Sequence, residues 1–375
     1  MLRLRALAVL AAVASLVVAP LARAAPPTPD AAAYILVDPT TGETLAARAP
    51  DRELPMASTT KIMTALVVLR HAKLDDRITV PPAADDIEGS TGMLEAGETL
   101  SVRDLLTALL VPSGNDAAVT LAQGVGGSQA GFVALMNQEA AALGLSHTHY
   151  SNPHGLDARG HHSSVRDMVR LGRAAMADPV FRSLVASRRA RIAGPGGEGV
   201  RLYESENELL DIDPDADGIK TGMTDGAGYA LVAHARRARL GTELYAAIIG
   251  EPSSDARAVD AKRLLDWGFS RYARAALLTG APLGALPIDG RPGASVPYRA
   301  SAPLDAPVRL GRPLARTIVV PAEVHGPVRE GQVLGTVTYR QGSSLLGRRD
   351  IVAAASADGP SLWDHLRDGV ENLIP

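Results

Sequence analysis

The strongest hydrophobic pattern in the chain is a run of apolar and small residues between positions 58 and 70. Ile62, Met63 and Leu66 belong to it, and the run has almost no polar face of the kind that a surface helix keeps. A helix that is apolar nearly all round is buried on most sides. We therefore expect this helix to lie in the centre of a domain.

A second helix is indicated just before position 112. Ser101 and Asp104 form a capping-box-like start, and Pro112 ends the pattern. The apolar positions of this helix share one face and are Val102, Leu105, Leu106, Leu109 and Leu110. Ser113, Gly114 and Asn115 then fall in the turn before the next helix.

Strand patterns occur in three parts of the chain. Residues 34–47 read as a hairpin that turns at Thr41 and Gly42, and runs at 229–233 and 244–249 read as an antiparallel pair. Beyond residue 272 the chain becomes rich in proline and glycine, with short valine-rich runs that favour a small all-β domain. We expect a domain of 30–272, a boundary near Ala275, and a β-rich domain of 275–357.

The first 24 residues have the pattern of a secretory signal peptide. Arg3 and Arg5 precede an apolar run, and the segment closes on Ala22-Arg23-Ala24. The run is short for a membrane span, and a retained membrane anchor is the alternative. With either interpretation the body of the protein lies outside the cytoplasm, in the periplasm or cell envelope.

The last 16 residues, 360–375, predict an amphipathic helix that Ser361 caps. Its apolar residues fall within an arc of roughly 120° and are Leu362, Trp363, Leu366, Val370, Leu373 and Ile374. We expect peripheral membrane contact through 361–374, although three acidic residues on the polar face oppose binding to anionic lipids. The alternative is that this face packs on the β domain or on a second subunit.

Composition excludes several kinds of function. The chain has no cysteine, so neither disulfides nor a thiolate nucleophile is available. Without the three signal-peptide arginines, 35 basic residues face 41 acidic ones, a net charge of −6 that does not suit a nucleic-acid-binding protein. Only four of the 38 basic residues are lysine: Lys61, Lys73, Lys220 and Lys262.

Three short motifs carry candidate chemistry. A serine three residues before a lysine, as in Ser58 and Lys61, puts both side chains one helical turn apart, where the amine can take the hydroxyl proton. This pattern alone is common. It gains weight from Ser113-Gly114-Asn115 and Lys220-Thr221-Gly222, because the order of all three is the signature of active-site-serine penicillin-recognising enzymes. Two of the four lysines stand in these motifs, where arginine could not act as a base.

The chain resembles the D-alanyl-D-alanine carboxypeptidases, the low-molecular-mass penicillin-binding proteins. The matching segments begin at Met56, Pro112, Asn152 and Asp217, and the resemblance covers about 31–272. It implies an α/β (α+β) catalytic domain of the β-lactamase and DD-peptidase type, with an antiparallel sheet flanked by helices and a helical lobe. More loosely, the part after Ala275 resembles the family's β-rich second domain.

The resemblance implies removal of the terminal D-alanine from peptidoglycan pentapeptides. Ser58 would attack the carbonyl of the penultimate D-alanine, with neutral Lys61 as the base and Ser113 as a proton relay to the leaving amine. The backbone N–H groups of Ser58 and Met223 would hold the oxyanion. Met223 stands where family members often carry histidine. We expect peptidoglycan stem peptides and β-lactam antibiotics as ligands, and neither a metal ion nor a cofactor.

The remaining site residues are expected to bind the substrate. Asn115 would hold its peptide group, Lys220 and Thr221 would bind its terminal carboxylate, and Gly222 would leave room for its backbone. Arg257 is a further candidate for the carboxylate, because the segment that it begins resembles a family helix whose arginine faces the site. A surface arginine is the alternative.

Other functions compete with this interpretation. The histidines at 147–162, with Asp157, suggest a zinc peptidase, but no general base or rigid ligand pattern accompanies them. A β-lactamase shares all three motifs, yet residues 150–164 contain no glutamate to serve as a second base. A D,D-endopeptidase or transpeptidase on the same fold and a non-catalytic peptidoglycan-binding scaffold are further alternatives.

Overall fold

The computed structural model describes residues 9–16 and 25–359. Its α-helices are α1 (Lys61–His71), α2 (Val102–Leu110), α3 (Asn115–Gly126), α4 (Gln129–Ala142), α5 (Val165–Ala175), α6 (Pro179–Val185), α7 (Leu209–Ile212) and α8 (Ser254–Phe269). Its strands are β1 (Val9–Leu16), β2 (Ala33–Val37), β3 (Thr44–Arg48), β4 (Arg77–Thr79), β5 (Thr99–Ser101), β6 (Arg189–Ala193), β7 (Val200–Glu204), β8 (Ala216–Thr224), β9 (Gly228–Arg237), β10 (Thr242–Glu251), β11 (Tyr272–Leu278), β12 (Pro282–Pro287), β13 (Ser295–Ala300), β14 (Leu304–Arg309), β15 (Leu314–Pro321), β16 (Val333–Gln341) and β17 (Ser344–Ala353).

The chain forms two compact units. The first comprises 25–237 and 242–270, and the second comprises 271–359 together with 238–241 and the strand β1. The structural division therefore falls at residue 270, a few residues before the position near Ala275 that the sequence indicates.

The first unit contains a five-stranded antiparallel sheet in the order β3-β2-β10-β9-β8. Both β9 and β10 are buried at six successive positions, because α8 packs against these strands and α5 also packs against them. The hairpin β2–β3 turns through Gly42, whose φ of 73° suits a residue without a side chain. The sheet flanked by helices is the arrangement that the family resemblance implies.

Helices α1 to α4 pack against one another in the same unit. Helix α1 is buried from Lys61 to Val68, in agreement with its nearly continuous apolar sequence. The Ser101 side chain accepts a hydrogen bond from the backbone N–H of Asp104 and so caps α2 as predicted. A 3-10 turn, Ala57–Thr60, precedes α1, so the helix proper begins at Lys61 and not at Ser58.

The second unit is built from β-strands. A six-stranded sheet has the order β1-β15-β16-β17-β13-β12, and β11 pairs with β14. Its core is formed by alternating inward residues such as Val296, Ile318 and Val337. An all-β unit is what the valine-rich runs predict.

The signal peptide predicted at the N-terminus and the helix predicted at the C-terminus lie largely outside the described residues. The expected C-terminal helix, 360–375, lies outside them, as do residues 1–8 and 17–24 of the expected signal peptide. The apolar residues between those two segments form β1, which pairs antiparallel with β15. Within the described ranges, no helix has the length and hydropathy needed to cross a membrane.

Candidate active site

Ser58 and Lys61 lie where a 3-10 turn runs into α1. The turn brings the Lys61 amine to 2.8 Å from the Ser58 hydroxyl oxygen. It begins at Ala57, a non-glycine residue with a φ of 50°, and such backbone strain is concentrated at functional sites. The two side chains therefore meet within one turn, as their spacing predicts.

The Lys61 amine is fully buried and has three close oxygen neighbours. Besides Ser58 Oγ, it lies 2.6 Å from Asn115 Oδ1 and 2.9 Å from the carbonyl oxygen of His154. Burial lowers the pKa of Lys61 well below its usual value, and the charge of Lys220 lowers it further. The site thus favours a neutral amine beside the serine hydroxyl.

The second motif packs against the first. Ser113 is fully buried with a φ of 64°, and its hydroxyl has no hydrogen-bond partner among the described residues. Asn115, the first residue of α3, lies against Lys61 through Oδ1 and donates from Nδ2 to the carbonyl oxygen of Glu88 at 2.6 Å. Both ends of the Asn115 amide are therefore engaged.

The third motif lies in the second half of β8. The sequence pattern indicates a strand that begins at Lys220-Thr221-Gly222, and this prediction is wrong, since β8 starts four residues earlier, at Ala216. The Lys220 amine is buried and donates to the carbonyl oxygen of Thr221 at 3.0 Å. Burial is the main cause that lowers the pKa of Lys220 to about 8.

Gly222 allows β8 to approach the nucleophile closely. A Cβ atom at this position would lie 2.7 Å from the backbone nitrogen of Ser58, a separation that real structures do not tolerate. Strand β8 and the 3-10 turn before α1 are therefore in contact at the residue that precedes Met223. The Met223 side chain itself is 55% exposed.

A cavity of about 420 Å³ opens between these elements. Six of the nine predicted site residues line it: Ser58, Asn115, Thr221, Gly222, Met223 and Arg257. The other three, Lys61, Ser113 and Lys220, are buried next to lining residues. The structure thus brings together residues that lie up to 199 positions apart in the sequence, from Ser58 to Arg257.

Arg257 reaches the site from α8 and is 4% exposed, so it is not a surface arginine. Its guanidinium forms an ion pair with Glu208 and lies 3.4 Å from the carbonyl oxygens of Gly222 and Glu206. Its carbon centre lies 5.6 Å from the centroid of the Tyr229 ring, within the range of a cation–π contact. The arginine is held at the wall of the cavity.

Several residues of the site were not identified from the sequence. Glu206 and Glu208 line the cavity, and Ser90 Oγ donates to Glu206 Oε1 at 3.1 Å. The His154 carbonyl oxygen contacts Lys61, whereas in the sequence the segment around His154 indicates only the family resemblance and the alternative of a zinc site. Gly155, with a φ of 100°, could have signalled the close approach, because a Cβ there would lie 2.1 Å from the Ala57 carbonyl oxygen.

The histidines of this segment support the backbone around Ser58. His161 accepts a hydrogen bond from the backbone N–H of Ser151 through Nδ1, so Nε2 carries the proton and donates to Thr60 Oγ1 at 2.8 Å. Burial lowers the pKa of His154 and of His161 to about 4 in each case. Within residues 9–16 and 25–359, no group of three or more metal-binding side chains was found.

Comparison with known proteins identifies similar chains over most of this length. The family model described as D-alanyl-D-alanine carboxypeptidase matches residues 21–253. The D-alanyl-D-alanine carboxypeptidase DacA of Escherichia coli (strain K12) is 34% identical over 351 residues, which cover 87% of this chain and 83% of the relative.

Solved structures give the same result. Penicillin-binding protein 5 from Haemophilus influenzae is 28% identical with a TM-score of 0.64, and the match covers 90% of this chain and 100% of that chain. The Streptomyces K15 DD-transpeptidase is 31% identical with a TM-score of 0.63, and the match covers 66% of this chain and 100% of that chain.

Proposed function

Since the chain belongs to the D-alanyl-D-alanine carboxypeptidase family, we propose that Ser58 is its acylated nucleophile and Lys61 the base that activates it. The family identifies the chain as a serine-type D-Ala-D-Ala carboxypeptidase with a DD-peptidase fold, as the sequence predicts. Peptidoglycan peptides as substrates and covalent binding of penicillin are consistent with this family.

The observation that carries the proposal is the buried amine of Lys61 at 2.8 Å from Ser58 Oγ. A neutral amine accepts the hydroxyl proton while Oγ attacks the carbonyl carbon of the penultimate D-alanine. Burial and the neighbouring charge of Lys220 supply the lowered pKa that this step requires. The product of the step is a tetrahedral intermediate bonded to Ser58.

The negative charge that develops on the carbonyl oxygen needs hydrogen-bond donors that are already in place. The backbone N–H groups of Ser58 and Met223 are the proposed donors. The close packing of Gly222 against Ser58 supports this role, because it places the two backbones on adjacent sides of the cavity. The Met223 side chain is exposed and takes no part in the step.

Collapse of the intermediate expels D-alanine, and its amine nitrogen must gain a proton. The Ser113 hydroxyl is the proposed relay from Lys61, and because it has no hydrogen-bond partner among the described residues, it is available for this role. The contacts of Asn115 favour a role in orienting Lys61. The substrate contact expected for Asn115 remains a prediction, since it requires the amide to exchange a present partner. Lys220, Thr221 and Arg257 are the proposed partners of the terminal carboxylate.

Hydrolysis of the ester then releases the shortened peptide. A β-lactamase would need a second base to make this step fast on penicillin. The carboxylate in residues 150–164 is Asp157, which accepts hydrogen bonds from Thr224 Oγ1 at 2.8 Å and the backbone N–H of Gly226 at 2.9 Å. These contacts support slow deacylation, and rapid hydrolysis of nitrocefin would contradict it.

Mass spectrometry of a muropeptide pentapeptide with the enzyme, alone and with an acceptor amine, tests the reaction. We expect loss of one D-alanine, and we expect Ser58→Ala to abolish both this loss and labelling by a fluorescent penicillin. A cross-linked or amine-transfer product would assign an endopeptidase or transpeptidase. If the wild type were neither labelled nor active, the non-catalytic scaffold would be the better interpretation.

Export to the periplasm or cell envelope is also proposed, on the signal-like sequence of residues 1–24 and the peptidoglycan substrate of the family. Peripheral membrane contact through residues 361–374 is proposed on the sequence pattern alone.

A further inference from the structure

Arg257 already has an acidic partner in the cavity where we propose that the substrate carboxylate binds. Its Nη2 donates to a carboxylate oxygen of Glu208, and its Nη1 lies 3.4 Å from the Gly222 carbonyl oxygen. Its Nε is buried and has no hydrogen-bond partner among the described residues. Glu208 is therefore the strongest partner of a guanidinium that keeps unused hydrogen-bonding capacity.

The formal charges at this end of the cavity balance one another. Two positive side chains, Lys220 and Arg257, stand opposite two negative ones, Glu206 and Glu208. Both glutamates lie close enough to Lys220 to raise its pKa, and Arg257 lies close enough to lower it. A substrate carboxylate that entered while Glu208 held Arg257 would be a third negative charge beside two positive ones. Like charges at such short range repel one another, so the entry of the substrate carboxylate weakens the hold of Glu208 on Arg257.

Exposure indicates which of the paired groups can move. The Arg257 side chain is 5% exposed and is held against Tyr229, whereas the Glu208 side chain is 39% exposed. Glu208 precedes the short helix α7 and can turn its carboxylate into water at little cost in hydration. The Arg257 guanidinium cannot move into water with the Glu208 carboxylate unless it leaves its buried position.

We propose that Glu208 is a positioning residue that holds Arg257 in the free enzyme and releases it to the carboxylate of the substrate. This inference rests on the proposed function, in which Arg257 binds the terminal carboxylate. Glu208 then competes with the substrate for the same guanidinium and weakens the binding of peptides that end in a free carboxylate. It does not touch the reacting atoms.

The test compares kcat and KM of the wild type and Glu208→Gln on a peptide ending in D-Ala-D-Ala and on its C-terminal amide. We expect Glu208→Gln to lower KM for the free acid by about two- to fivefold, the size expected of an ion pair with one partly exposed member. We expect kcat for the acid and both constants for the amide to stay unchanged. In an Arg257→Ala background the same substitution should have no effect on KM.

Glu204→Gln is the matched control, because Glu204 also pairs with an arginine, Arg189, but lies on the exposed face of β7. It removes the same charge from the protein and should leave KM for both peptides unchanged. An unchanged or higher KM for the acid in Glu208→Gln would overturn the inference, as would an equal change on the amide.

A wrong assignment of the reaction would give a different result from a wrong role for Glu208. If the wild type released no D-alanine from the acid, the assigned reaction would be wrong. The role of Glu208 would then be tested by the second-order rate of acylation by benzylpenicillin, because this ligand also carries a carboxylate. This rate should rise in Glu208→Gln and should not rise in the Arg257→Ala background, and a rate that did not rise in Glu208→Gln would overturn the inference.

Discussion

Replacement of Lys61 by arginine separates the two properties that a lysine could contribute at this position, its positive charge and its ability to lose a proton. Lys61→Arg keeps the charge beside Ser58, but a guanidinium does not deprotonate in proteins. If Lys61 is the general base, the variant has no group that can take the proton from the Ser58 hydroxyl. If its charge alone mattered, the variant would keep much of the activity.

The expected loss follows from the environment of the amine. A positioned general base contributes roughly 10²- to 10⁴-fold, or about 3 to 5 kcal/mol of the activation free energy. The amine lies within 2.6 to 2.9 Å of three oxygen atoms in a fully buried site, so a larger guanidinium also displaces its neighbours. We therefore expect Lys61→Arg to acylate at least about 1000-fold more slowly than the wild type.

The assay is the second-order rate of acylation by a fluorescent penicillin, measured together with thermal unfolding. Lys61→Met, which has a neutral unbranched side chain, should lose the rate to a similar extent. Lys262→Arg is the matched control, because Lys262 pairs with Asp266 on α8 and is outside the cavity. A folded Lys61→Arg that kept a tenth of the wild-type rate, a loss of about 1.4 kcal/mol, would refute the general-base assignment.

Two further predictions concern pH and the chain terminus. Lys220 must be charged to bind a carboxylate, and its pKa of about 8 predicts that kcat/KM falls as the pH rises through this value. Lys220→Arg should keep the charge and move this fall to higher pH, and an identical alkaline fall in both proteins would contradict the role. Deletion of residues 360–375 should shift the protein from the membrane fraction to the soluble fraction without changing activity on a soluble peptide. Full-length protein that is already in the soluble fraction at low salt would exclude the membrane anchor.

The sequence predicted the parts of the site whose geometry is local. Ser58 and Lys61 are three positions apart, a spacing that brings two side chains together on one turn. A capping serine, Ser101, marks the start of α2. The strand pair β9–β10 was also evident, because buried strands have long apolar runs. These features depend on neighbouring residues, which a single sequence displays directly.

Contacts between distant segments were predicted only where a motif marked both partners. Nothing in the sequence indicates that the carbonyl oxygen of His154 contacts Lys61, because a backbone acceptor has no residue signature. Glu206 and Glu208 read as ordinary surface acids before the short helix α7. Their place in the cavity results from the packing of α7 against α8, which brings Arg257 to them.

Asp116 illustrates how the fold supports a site that the motifs only outline. Its carboxylate is buried and accepts hydrogen bonds from the backbone N–H groups of Gly92 and Leu94 and from Thr91 Oγ1, at 2.7 to 3.1 Å. These contacts tie the loop before β5 to the first turn of α3, where Asn115 contacts Lys61. The backbone N–H of Ala117 also donates to this carboxylate, at 2.7 Å, but three of its four donors come from the loop. A buried carboxylate is costly without its donors, so it is stable only while the loop keeps this position. The residue beside the second motif therefore fixes the wall of the cavity, and Lys61 depends on it through Asn115.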